Sequence, residues 1–147
     1  MSGAHVGSDL WEPIFDFEVD STLKADYFTP GQQFAQEVLH YRWMTNSAAV
    51  TGEVKGVQNE LGLEAKSRYV FNTQLNDKCY CVEAPDGLNP AGDGSYTVFR
   101  YAENNISAGV AYKGDYKTVI LGFPVETLET QEQVNGLIGE IARFFAP

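Results

Sequence analysis

The sequence predicts an α/β domain, and three observations carry that expectation. Amphipathic helices with capping signals stand on either side of a run of strand-like segments. One of those segments, "TVILGF" (residues 118–123), is almost wholly apolar. Such a strand is expected where a sheet is covered on both faces, and a sheet with helices before and after it belongs to the α/β class rather than to all-β.

Length and composition set the frame. At 147 residues, with 44% hydrophobic and 13% aromatic content, one domain over residues 1–147 is expected. There are 20 acidic residues against 10 Lys and Arg, a formal net charge of -10. Binding a phosphate backbone needs clustered Lys and Arg, so neither nucleic acid nor an anionic membrane is an expected partner. No apolar run approaches the length of a membrane span. The N-terminus has neither the basic nor the apolar region of a signal peptide, which leaves the compartment open. Cys79 and Cys81 are the only cysteines. Residues two apart on a strand share a face in a geometry too rigid for an easy disulfide, so two buried thiols are expected. "CYC" has no partners at zinc-site spacing, and no metal or cofactor is expected.

The elements follow in chain order. "GAHVG" (residues 3–7) has the spacing of a tight strand-to-helix elbow. "YFTPGQQFAQEVLHYRW" carries a helix start, with Thr29 as N-cap, Pro30 at the first helical position and Gln32 completing a capping box. Phe34, Ala35, Val38 and Leu39 then fall on one helical face, with His40 at its rim. "KSRYVFNT" and "YTVFRYA" read as strands, the second alternating Thr97, Phe99 and Tyr101. "APDGLNPAGDGS" between them reads as loop. Its Asp86 and Asp93 fit no EF-hand spacing and read as turn residues. Lys113-Gly114-Asp115 is a turn signal joining two strands. The closing helix starts at Thr130 with Gln133 as its box partner, and Val134, Leu137, Ile138, Ile141 and Phe145 form its apolar stripe. Two helices barely cover a sheet on both faces, which implies further elements upstream.

Two stretches together, "SGAHVGSDLW" and "SAGVAYKGDYKTVILGFPVETL" with the helix that follows, resemble the C-terminal α/β domain of secreted bacterial proteins labelled xanthan lyase. That domain is in turn similar to the class I glutamine amidotransferase superfamily. The resemblance implies a flavodoxin-like, partly parallel mixed sheet flanked by helices. It also implies that Met1 is an internal start, so that the chain is the C-terminal part of a larger, N-terminally truncated domain. A secreted or cell-envelope location follows from the resemblance alone.

The same resemblance permits a test for catalysis. Active amidotransferases carry Gly-x-Cys-x-Gly at the elbow, where a sharp turn exposes a thiolate beside backbone N–H donors. The matching positions here are Gly3, Ala4, His5, Val6 and Gly7, so His5 takes the nucleophile's place. Active members end the last core strand with Phe-His-Pro-Glu. This chain has Phe123-Pro124-Val125-Glu126, so Pro124 stands where the base would be and only Glu126 survives. Amidotransferase chemistry is not expected.

The expected function is therefore that of a catalytically silent accessory or structural domain linked to polysaccharide processing. Its expected partners are carbohydrate, the other domains of a parent protein, or a second copy completing the sheet edge. The alternative is a hydrolase or polysaccharide lyase in which His5 and Glu126 meet at the carboxyl edge of the sheet as an acid/base pair. The plainer reading, that Glu126 caps local N–H groups and His5 is an ordinary loop residue, is preferred. Trp11 and Asp9, beside the elbow, are the candidate ligand-binding residues. Trp11 is expected in a loop, and Asp9 serves equally as a helix or turn cap.

Overall fold

The computed structural model describes residues 10–11, 29–59, 63, 68–75, 77 and 80–147. Leu10 and Trp11 are helical. After them come α1 (Pro30–Glu37), β1 (Tyr41–Thr45), β2 (Glu53–Gly56), β3 (Arg68–Val70), β4 (Gly87–Pro90), β5 (Ser95–Tyr101), β6 (Ser107–Lys113), β7 (Lys117–Leu121), a 3-10 turn (Val125–Thr127) and α2 (Gln131–Phe145).

The sheet corrects the expected fold. Among the described residues every strand pairing is antiparallel: β1 with β4 in a two-stranded ribbon, and β3-β2-β5-β6-β7 in a five-stranded sheet. This is not a flavodoxin-like, partly parallel sheet. The reason lies in the connections. A parallel neighbour needs a crossover of a dozen or more residues, whereas antiparallel strands can be joined by a tight turn. Only residues 102–106 separate β5 from β6, and only residues 114–116 separate β6 from β7. Neither leaves room for a crossover helix.

The apolar β7 is nonetheless covered on both faces. Ile120 joins Val110, Leu88, Tyr41 and Ala35 in one buried cluster, with Leu10, Trp11, Leu39 and Trp43 packed at its edge. Val119 and Leu121 point the other way, into a larger cluster with Tyr69, Phe71, Phe99, Tyr101, Phe123, Leu137 and Phe144. The α1 helix and the β1–β4 ribbon thus cover one face, and α2 the other. Aromatic rings order the larger core: Phe71 stacks on Phe123 at 5.6 Å, and Phe99 meets Phe123 edge-on at 6.2 Å. Each such pair contributes about 0.5–1.5 kcal/mol beyond its buried area.

The helix starts are as the sequence implies, with two amendments. Gln32 N donates to Thr29 Oγ1 and Thr29 N to Gln32 Oε1, a complete capping box. Thr130 likewise accepts from Gln133 N, but Gln133 Oε1 accepts the Val70 amide at 2.8 Å and so tethers β3 to α2 instead. On α1 only Ala35 is buried, while Phe34 and Val38 stand exposed. On α2 the core-facing stripe runs Val134, Leu137, Ile141 and Phe144, of which Leu137 and Phe144 are buried and the other two partly so, while Ile138 and Phe145 are about half exposed. Spacings of three, four and three residues keep one face of a 3.6-residue helix on the core; Phe145 lies one residue, about 100°, further round.

Candidate functional site

The residues singled out from the sequence do not form one described site. His5 and Asp9, like the rest of the elbow and Cys79, lie outside the described residues. Glu126 stands exposed on the 3-10 turn, where its Oε1 accepts from Tyr80 Oη at 2.9 Å. Pro124, at the amidotransferase base position, is the extended residue that opens that turn. Trp11 is helical and half-buried rather than on a loop; it packs at the edge of the smaller core, and its carbonyl accepts from Gln32 Nε2 at 3.3 Å.

Two other polar groups are built more deliberately. The first centres on Asp86, which is 0% exposed. Its Oδ1 accepts from the Trp43 indole at 3.0 Å. Its backbone is held by Gly122, whose carbonyl accepts the Asp86 amide at 2.8 Å, and by Tyr101, whose hydroxyl donates to the Asp86 carbonyl at 2.7 Å. Gly122 is required here, because a Cβ on it would lie 2.1 Å from the Asp86 carbonyl oxygen. Burial pushes the Tyr101 phenol far above its ordinary value, and the Asp86 charge pushes it further. Tyr101 is therefore held as a neutral phenol that donates to the Asp86 carbonyl. The group joins β1, β5 and the end of β7, so its role is to lock the ribbon onto the sheet.

The second group lies at the surface, where α1 ends above the β6–β7 turn. His40 follows α1 with φ +60, a left-handed conformation uncommon outside glycine. It is held there through its carbonyl, which accepts from Ser95 Oγ at 2.6 Å and from the Ala91 amide at 3.0 Å. The imidazole stacks on Tyr112, with centroids 3.5 Å apart and planes within 15°. Its Nε2 lies 2.9 Å from Tyr116 Oη, and its Nδ1 lies 3.3 Å from the Ala91 carbonyl. Tyr116 Oη is also 2.9 Å from the Val38 carbonyl, and the Tyr112 and Tyr116 rings are 5.2 Å apart. A Cβ on Gly114 would fall 1.9 Å from Tyr112 Oη, so glycine in the turn makes room for that ring.

Hydrogen counting fixes what this group can do. A carbonyl only accepts, so the Ala91 contact requires a proton on Nδ1. Tyr116 has one hydroxyl hydrogen. When it goes to Nε2 the ring is neutral; when it goes to Val38, Nε2 must donate and the ring is an imidazolium. Tyr116 remains 43% exposed, and its phenol is held above its ordinary value by desolvation first, then by Tyr112 and Asp115. The result is an aromatic ledge with a hydroxyl whose hydrogen has three acceptors, His40 Nε2 and the Val38 and Glu37 carbonyls, the last at 3.4 Å. His40 was readable from the sequence only as a rim residue. Nothing local marks Tyr116, whose partners His40 and Val38 come from the far side of the chain.

Among the described residues no group of three or more His, Cys, Asp or Glu could hold a metal ion, and no helix is long and apolar enough to cross a membrane. No family model, curated protein or solved structure matches the chain.

Proposed function

We propose that this chain is a catalytically silent accessory domain of a larger secreted or cell-envelope bacterial protein, and that it holds saccharide against the His40–Tyr112–Tyr116 ledge. The single observation that carries the reading is that ledge: three rings in mutual contact, one of them half exposed, with His40 and Tyr116 held to backbone carbonyls. A tyrosine offers an apolar face and a polar tip, which suits a pyranose, whose C–H face is apolar and whose rim carries hydroxyls. A ledge already ordered loses little side-chain entropy on binding. The resemblance to domains of proteins labelled xanthan lyase supplies the polysaccharide context.

Catalytic silence is carried by the sequence resemblance alone: His5 and Pro124 fall where the amidotransferase motifs have a thiolate and a base, although the antiparallel sheet is not the fold to which those motifs belong. Glu126 accepts a hydrogen bond from Tyr80 at the surface.

Titration calorimetry with a panel of neutral and charged oligosaccharides tests the reading. Binding that disappears in Tyr116→Ala, with its fold intact, is expected. A turnover on any of these sugars that is lost in His5→Ala or Glu126→Gln would replace the silent domain with the hydrolase or lyase alternative.

A further inference from the structure

We infer that Tyr112, rather than Tyr116, gives the ledge its hydrogen bond to the saccharide, and that its partner is a sugar hydroxyl. The inference rests on the saccharide reading above and adds the atom that recognises the ligand. It comes from counting the polar atoms of the ledge. His40 Nδ1 donates to the Ala91 carbonyl, and Nε2 is taken by Tyr116 Oη. Tyr116 Oη in turn lies among Nε2 and the Val38 and Glu37 carbonyls. The count is the same for a neutral imidazole and for an imidazolium, because only the direction of the Nε2–Tyr116 bond changes. In the neutral ring the Tyr116 hydrogen goes to Nε2; in the charged ring it goes to a carbonyl at the end of α1.

Tyr112 Oη is the polar side-chain atom left over. Among the described residues it has no hydrogen-bond partner, and it is open to solvent although Tyr112 itself is half-buried. The ring that carries it is nonetheless fixed. His40 covers one face at 3.5 Å, and a Cβ on Gly94 would come within 3.2 Å of Cε2 at the ring edge. Gly114 keeps the hydroxyl clear, since the Cβ it lacks would collide with Tyr112 Oη. A phenol held in this way can give one hydrogen bond and accept another without first being ordered. A sugar hydroxyl has the same two capacities, whereas a carboxylate only accepts and an ammonium only donates.

The experiment titrates the chain with three neutral hexamers, of β-1,4-linked glucose, mannose and N-acetylglucosamine, and follows the one bound tightest. Tyr112→Phe keeps the ring against His40 and removes only the hydroxyl. It should weaken that hexamer by about two- to ten-fold, the worth of one neutral hydrogen bond. Tyr116→Phe should lose less. Gly114→Ala keeps both tyrosines but pushes the Tyr112 hydroxyl aside, and should weaken binding as Tyr112→Phe does. Melting curves of each variant show that the fold is retained. If Tyr112→Phe binds like the wild type, or Tyr116→Phe loses as much or more, the hydroxyl is wrongly assigned while saccharide binding stands. If none of the three hexamers binds the wild-type chain, the saccharide reading falls as well.

Discussion

Trp43 gives its indole N–H to a carboxylate with no exposed surface: Nε1 lies 3.0 Å from Asp86 Oδ1. A buried carboxylate is tolerated only with hydrogen-bond donors around it, and a bond to a charged group contributes about 1.5–3 kcal/mol. Trp43→Phe keeps most of the ring and removes the donor. It should lower the unfolding free energy by about 2 kcal/mol, measured by denaturant titration. A loss under about 0.5 kcal/mol would mean that this bond does not hold the β1–β4 ribbon to the sheet.

Gly122 and Gly136 make opposite predictions for the same substitution. A Cβ on Gly122 would lie 2.1 Å from the Asp86 carbonyl oxygen, a backbone atom that cannot move without breaking the bond from Tyr101. Gly122→Ala should cost about 3 kcal/mol or prevent folding. Gly136 is inside α2, with nothing within 4 Å of a Cβ placed there. Gly136→Ala should stabilise by about 0.5–1 kcal/mol, because alanine loses less backbone entropy in a helix. Melting temperatures moving in the same direction for both would contradict this packing.

What could be read from the sequence was what is local. The Thr29–Gln32 box and the Lys113–Asp115 turn depend on residues within four positions of each other, and both are present. The strand β4 was hidden because "GLNP" has turn composition; it becomes a strand only by pairing with β1, which comes from far earlier in the chain. Strand direction was hidden differently. An apolar run such as "TVILGF" looks the same with parallel or antiparallel neighbours, and it is the short connection from β6 to β7, residues 114–116, that dictates an antiparallel pair. Periodicity placed Phe145 on the apolar stripe, whereas the core takes the adjacent Phe144 and leaves Phe145 about half exposed. Phe144 packs in the larger core cluster, and Lys117 Nζ lies 5.5 Å from its ring centroid. Asp86 read as a turn residue because Asp-Gly in a Pro-rich loop usually is one. Its burial is a property of Trp43, Tyr101 and Gly122 together. His40 meets Tyr112 and Tyr116 only once the sheet has formed.

Glu103 predicts an acid-sensitive loop. Its Oε1 accepts the Val50 amide at 3.0 Å and its Oε2 the Thr51 amide at 2.8 Å. The Thr51 side chain first, and the Val50 amide next, hold the carboxyl below its ordinary value of 4.5. A carboxyl lowered in the folded state stabilises above its unfolded value, and that contribution is lost as pH falls through the folded value. Amide exchange at Val50 and Thr51, corrected for intrinsic rate, should therefore accelerate as pH falls below the ordinary carboxyl value of 4.5. Glu103→Gln should remove the pH dependence. Equal slopes in the two proteins would show that Glu103 does not anchor this loop.

The His40 ring makes the last prediction. Because Nδ1 faces a carbonyl oxygen at 3.3 Å, it carries a proton in both hydrogen-bonding patterns open to the ring, and Nε2 alone changes role. A long-range proton–nitrogen spectrum at about pH 9, where an ordinary imidazole is neutral, should show the Nδ1–H tautomer. Free histidine favours the other one, so the distinction is decisive. Tyr116→Phe removes the hydroxyl that supplies Nε2 with its hydrogen, yet leaves the Ala91 contact untouched. The Nδ1–H signal should persist in that variant, with a stability loss of about 1 kcal/mol. An Nε2–H tautomer in the wild type would mean that the imidazole is not held by Ala91, and the ledge would lose the rigidity on which its binding role depends.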